Sequence, residues 1–249
     1  MKVFLCFAVF FLSNFQFVFA TTWFFNKTLQ ELKNLRSQYV NRKADLVFLI
    51  DTSGSLSRPA YETEKDFVRD LLNEISVGAE ASRVEVIPFG NTASIYIDQV
   101  SNPGITKNKC TFNEKFNRME QKINGWSTNM KAGFELAFSV CLGNYSGQKR
   151  TDSGGKPIKT TVLLLTDGEW NWNANPVSLA QDLHEGGVEV FAIGVGQYLN
   201  MPNLQQITAI PDRQAFKLAD FKEFAKLAKY LRGGKLNVVL FLKISYYYY

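Results

Sequence analysis

Residues 45–57 read DLVFLIDTSGSLS. Leu46 to Ile50 form an unbroken apolar run. A strand with one wet face alternates, so this run predicts a strand covered on both faces, as in a parallel sheet. The run stops at Asp51, and Thr52, Ser53, Gly54 and Ser55 follow. A buried strand that ends in one carboxylate and two hydroxyls spaced two apart has a polar loop with something to hold.

The same pattern recurs outward from this strand. TTVLLLTDG (160–168) is a second apolar strand ending in an acid, Asp167, and VEVFAIGVG (188–196) is a third buried strand. Between them PVSLAQDLHEGG predicts a helix with Pro176 near its start and glycines after its end. In residues 60–76, Phe67, Leu71 and Ile75, with Val68 and Leu72, share one helical face. SRVEVIPFG and ASIYID, joined through Gly90-Asn91, predict an antiparallel hairpin at a sheet edge. Residues 112–123 and 129–142 predict two helices broken by NGWS, and LADFKEFAKLAKYLRGG predicts a closing amphipathic helix with a glycine stop. Apolar strands alternating with helices give a doubly wound α/β fold. Its central sheet is mostly parallel, with one antiparallel edge strand and helices on both faces.

The chain has 249 residues, 46% of them hydrophobic, and a formal charge of +5. This fits one α/β domain of moderate size with extensions. The charge is small and unclustered, which argues against nucleic acid as a partner. Residues 1–20, MKVFLCFAVFFLSNFQFVFA, read as a secretory signal peptide: Lys2, then the apolar Val3 to Leu12, then Val18-Phe19-Ala20 as a cleavage pattern. Ser13, Asn14 and Gln16 interrupt it, against a stable membrane span. Residues 21–43 are expected to be an N-terminal linker or short helix, with Leu29, Leu32 and Leu35 at helical spacing. The domain proper is expected over 44–232. The tail 233–249 contains KLNVVLFLKISYYYY, whose apolar run is too short to cross a bilayer. An extra edge strand, an unstructured end and a gene-prediction artefact all remain open for it.

Secretion implies an oxidising compartment, where Cys110 and Cys141 are expected to pair as a disulfide. The two predicted helices, joined by a short connection, would run antiparallel and bring the thiols together. Asn26 and Asn144 stand in N-x-[ST] sequons as expected glycosylation sites.

In an open α/β sheet, ligands sit beyond the carboxyl ends of the strands. Asp51 and Asp167 both lie there, Ser53 and Ser55 follow the first strand, and Thr128 opens a helix. Singly, each has a plainer role as a turn or cap residue. Together, two carboxylates and three hydroxyls make an all-oxygen set suited to a hard divalent cation, Mg²⁺ or Mn²⁺.

At these residues the sequence resembles the von Willebrand factor type A domain over about residues 44–232. That family's metal-ion-dependent adhesion site reads D-x-S-x-S, then Thr, then Asp. Here DTSGS supplies Asp51, Ser53 and Ser55, GWSTNMKAGFELA supplies Thr128, and LLLTDG supplies Asp167. The chain departs from the family at Trp126 and Ser127, where glycines are frequent, at Met130, and in the aromatic GEWNWN after Asp167. The resemblance implies that these five residues hold the metal directly or through water. It further implies that a partner's Glu or Asp displaces one water. Trp126, Trp170 and Trp172 would then ring the metal as ligand-contact residues.

The implied function is a secreted, extracellular module for adhesion or matrix interaction. One alternative is a secreted structural domain whose metal only holds loops. The other is a metal-dependent hydrolase. For an enzyme the sequence is poor. Ser53 stands where an aspartyl phosphotransferase would need a second acid, no nucleotide-binding glycine motif is present, and the lone His184 sits at a helix end without a zinc partner.

Overall fold

The computed structural model describes residues 23–40, 42–99, 102–121, 127–143, 150–171, 173–197 and 199–233. The expected signal peptide, Trp126, Trp172, the Asn144 sequon and the tail from 234 onward lie outside the described residues.

Strands β1 (Ala44–Asp51), β2 (Arg83–Phe89), β3 (Ile97–Asp98), β4 (Lys159–Thr166), β5 (Glu189–Val195) and β6 (Ala215–Leu218) form one sheet in the order β3-β2-β1-β4-β5-β6. All pairings are parallel except β2 with β3, the antiparallel edge expected from the hairpin. Every residue of β1 is buried, which is why its sequence shows no alternation.

Side chains alternate between two separate cores. On one face Leu46, Phe48 and Ile50 of β1 pack with α2 (Arg58–Leu71), α3 (Lys109–Asn117) and α8 (Phe221–Leu231). On the other face Val47 and Leu49 pack with α4 (Met130–Leu142) and α5 (Val177–Glu185). Two short helices, α6 (Met201–Gln206) and α7 (Pro211–Gln214), connect β5 to β6.

Local sequence sets the helix starts. Ser57 accepts a hydrogen bond from the Ala60 N–H, with Pro59 in the first turn of α2. Asn108 and Thr111 make a reciprocal capping box on α3. Asp220 caps α8 by accepting from the Glu223 N–H at 2.8 Å. Lys65 is buried in α2, and its ammonium donates to the carbonyls of Asn117 and Met119. It thereby satisfies the open carbonyl end of α3.

Residues 23–39 are helical (α1) and docked, not a linker. Phe25, Leu29, Leu32, Leu35 and Tyr39 enter the α2-side core, and the Tyr39 hydroxyl lies 2.6 Å from that of Thr161 in β4. Asn26 is exposed on this helix. The Thr28 hydroxyl of its sequon is buried and donates to the Phe24 carbonyl at 2.9 Å.

The expected disulfide is corrected by the structure: Cys110 and Cys141 are both free thiols, the first exposed and the second buried. The physical reason is the sheet. Phe112 and Phe116 anchor α3 in the α2-side core, whereas Cys141 itself belongs to the opposite core with Phe134 and Val140. Two helices adjacent in sequence thus pack on opposite faces, and the sheet separates their cysteines.

Gly194 in β5 has no room for a side chain. A Cβ there would stand 2.0 Å from Leu199 Cδ2 and 2.7 Å from Leu204 Cδ1, both buried. Neither leucine can swing into water without leaving the core. Gly194→Ala is expected to destabilise by about 1–3 kcal/mol, the usual cost of overpacking, as measured by denaturant unfolding.

Candidate metal centre

The chain leaves β1 toward β2 on one side and later returns to β4 on the other. That reversal opens a crevice beyond the carboxyl ends of β1 and β4. Asp51 ends β1, and Asp167 follows the last residue of β4.

Four of the five expected residues are linked by hydrogen bonds. Asp51 is fully buried; its Oδ1 accepts from the Ser53 N–H at 2.8 Å and its Oδ2 from the Thr166 hydroxyl at 2.7 Å. The hydroxyls of Ser53 and Ser55 are 2.9 Å apart. Ser55 donates to Asp167 Oδ1 at 3.0 Å. The fifth, Thr128, is buried, and its hydroxyl lies 3.5 Å from where a Cβ on Gly168 would stand. The Thr128 carbonyl accepts from the Asn171 N–H at 3.3 Å, and the Asn129 N–H donates to the Gly90 carbonyl at 2.7 Å. These bonds tie the Thr128 loop to the loops after β2 and β4.

Thr52 and Thr166 were not singled out from sequence. Both the N–H and the hydroxyl of Thr52 donate to the Phe89 carbonyl, at 2.7 and 2.9 Å, and so anchor the loop after β1 to β2. Thr166 is opposite Asp51 because Ile50 pairs with Leu165. A threonine directly before the second acid was the only sequence signal of this role.

Burial pushes the Asp51 carboxyl up to about 6; its hydrogen bonds to Ser53 and Thr166 oppose the rise, and the Asp167 charge adds to it. Burial raises Asp167 as well. Glu64 in α2 is fully buried, and its two carboxylate oxygens have no hydrogen-bond partner among the described residues. Burial, reinforced by the charges of Asp51 and Asp167, raises it well above the usual range.

Two carboxylates meet the hydroxyls of Ser53 and Ser55, and a cation there would remove the penalty of ionising both acids. Among the described residues no group of three or more His, Cys, Asp or Glu side chains converges. The side chains gathered here offer hydroxyl and carboxylate oxygens, a set that would fit a hard divalent ion. His184 lies elsewhere, its ring nitrogens 3.4 and 3.2 Å from the carbonyls of Val188 and Ile207. Trp170 is half-buried against the α4-side core.

The family profile of the von Willebrand factor type A domain matches residues 45–229. Mouse matrilin-2 is 28% identical over 82% of this chain and 20% of its own length. The mouse collagen alpha-5(VI) chain is 26% identical over 69% of this chain and 6% of its own. The chain thus spans a small part of these relatives. Proximal thread matrix protein 1 from the mussel byssus superposes with a TM-score of 0.63 at 26% identity, over 77% of this chain and 47% of that one; one of its structures has a zinc-occupied MIDAS motif. Manganese-loaded TRAP protein of Plasmodium vivax, at 22% identity and a TM-score of 0.58 over 77% of this chain and 74% of its own, shares the fold.

Proposed function

Because the chain belongs to the von Willebrand factor type A domain family, we propose that it is an extracellular binding module, not an enzyme. It would take a protein ligand through a divalent ion, Mg²⁺ or Mn²⁺, held by Asp51, Ser53, Ser55, Thr128 and Asp167. The observation that carries this is the hydrogen-bonded string Asp51–Ser53–Ser55–Asp167 at the carboxyl ends of β1 and β4. Relatives named as a collagen chain, matrilins and a thread matrix protein support an extracellular matrix or adhesion setting. The zinc-occupied site of the mussel protein supports metal binding. No helix among the described residues is long and apolar enough to cross a membrane.

When bound, the ion supplies a Lewis-acidic position for an anionic oxygen of the partner. The protein's residues do the rest. Two carboxylates and three hydroxyls leave coordination capacity for a further oxygen, so a Glu or Asp of the partner is the matching group. Thr52, Thr166 and the Gly90–Asn129 bond hold the loops in place beforehand, which lowers the ordering cost of binding. Trp170, in the loop after Asp167, is proposed to contact a bound partner with its exposed part, and Trp126 and Trp172 are proposed in the same role.

A pull-down with the purified chain in Mg²⁺ and in EDTA tests this reading. A partner is expected in Mg²⁺ only, and Asp167→Ala should lose it. A partner retained in EDTA and by Asp167→Ala would refute the metal bridge. A chain that loses stability in EDTA yet captures nothing in either buffer would leave the metal a structural role alone.

A further inference from the structure

The sheet has an open edge at β6, which pairs only with β5 among the described residues. A groove of about 570 Å³ runs beside it, walled by Trp23 and Phe24 of α1 on one side and Met201 and Pro211 on the other. Among the described residues, the exposed large hydrophobics are Trp23, Phe24 and Ile210. Two line this groove and the third adjoins Pro211. Such clustering at one edge marks an interaction surface rather than scattered exposure.

The backbone says what kind of partner fits. The Gly196 N–H donates to the Leu218 carbonyl, so strand alternation turns Phe216 and Leu218 toward β5 and Ala215 and Lys217 outward. The Ala215 N–H is already taken by the Pro211 carbonyl. By that alternation the Lys217 N–H and the Ala215 and Lys217 carbonyls point away from β5, at the open edge beside the groove. One N–H and a carbonyl two residues away form a self-complementary pair for an antiparallel copy of the same strand. The charges around the groove are also balanced, Lys27 and Lys217 against Asp212 and Glu223. A two-fold axis can therefore set each sign against its opposite.

We infer that this chain forms a two-fold dimer through β6, with Lys217 of each copy donating its backbone N–H to the Ala215 carbonyl of the other. The axis passes beside Phe216, and Trp23 and Phe24 of both copies are buried where the two α1 helices meet. The chain's own segment after α8 is a poorer occupant. The step from β1 through α2 to β2 moves away from β6, with its helix on the α2 face. Right-handed steps toward β6 use the opposite face, as α5 does between β4 and β5. α8 lies on the α2 face, so a parallel strand added beside β6 after it would need a left-handed crossover. If the metal reading above holds, antiparallel pairing sets the two metal sites at opposite ends of a continuous sheet, and one dimer joins two ligands.

Sedimentation of the full purified chain over a range of concentrations tests the dimer without reference to metal. A reversible monomer–dimer equilibrium is expected. Trp23→Asp with Phe24→Asp should weaken it by at least about a hundredfold, as loss of two interface anchors does. Lys217→Pro, which deletes the donating N–H at an edge where proline is tolerated, should also abolish it. Lys217→Ala, which keeps that N–H, should retain it. Circular dichroism of each variant establishes that the fold is intact. A chain monomeric at all concentrations overturns the inference, as does a dimer indifferent to Lys217→Pro. So does a monomer that becomes dimeric only on Val239→Asp with Phe241→Asp, which would place the chain's own tail in the groove.

Discussion

Asp51→Asn is expected to lose divalent-ion binding and, in EDTA at pH 7.5, to make the domain more stable than the wild type. The two effects share one cause. Burial lifts the wild-type carboxyl from its ordinary 3.8 to about 6. Between those values the folded, metal-free protein holds a proton that the unfolded chain has released. Stability therefore falls as pH rises through that window and stays lower above it. A shift of two pH units corresponds to about 3 kcal/mol. The Asn variant has no such ionisation, while its side chain can still accept from the Ser53 N–H and pair with Thr166. It should gain up to about 3 kcal/mol in EDTA at pH 7.5 and lose the fall between pH 4 and 6 that Asp51 causes. Bound metal reverses the wild-type profile: the ion holds the carboxylate ionised, so metal-dependent stability appears above pH 6 and is lost on acidification. Calorimetric titration with Mg²⁺ or Mn²⁺ should show affinity weakened by more than about 100-fold, since removing a mere supporting partner of a ligand already costs about 10–100-fold. Equal ion binding by the two proteins would refute the assignment of Asp51 as a ligand.

The strands that build the centre could be read from sequence because burial on both faces erases alternation. Leu46–Ile50 and Val162–Leu165 are continuous apolar runs; Asp51 follows the first directly, and Asp167 follows the second after Thr166. Those same ends place Asp51, Ser53, Ser55 and Asp167 together. Other elements left weaker marks. β6, AFKL, is four residues long and carries Lys217, whose ammonium is held by the carbonyls of Gln197 and Leu199, so no apolar run announces it. The helix over 23–39 was half visible in Leu29, Leu32 and Leu35. Its docking depends on Phe25 and Tyr39, which read as ordinary residues until the sheet supplies their contacts. The cysteines show a different limit. Proximity in sequence does not say which face of a sheet a helix will cover, and α3 and α4 chose opposite faces.

Glu64→Met is expected to stabilise the domain by about 1–3 kcal/mol, the range for relieving a buried polar group that lacks a partner. Glu64 falls three residues after Tyr61 and three before Phe67, on the buried stripe of α2. An apolar residue belongs at that spacing. Instead a carboxyl group sits there with both oxygens unpartnered among the described residues, and burial, with the charges of Asp51 and Asp167, shifts it toward its neutral form. Methionine matches its length, adapts to irregular space and needs no hydrogen bond. Glutamine keeps the polar atoms and should gain little, which separates relief of desolvation from a change of shape. For a domain of this size the methionine gain corresponds to a rise in Tm of roughly 2–12 °C, with no loss of secondary structure by circular dichroism. The same pair of variants decides whether the acid serves the metal. If Glu64 keeps its proton beside a cation held by Asp51 and Asp167, it adds no charge to that ion, and affinity measured by calorimetry should stay within about threefold for both variants, less than the 10–100-fold of a supporting ligand partner. If affinity instead falls tenfold or more in methionine and glutamine alike, a bound ion must draw the proton from Glu64. The buried carboxylate would then be a third negative charge behind the centre rather than a flaw in the core of α2.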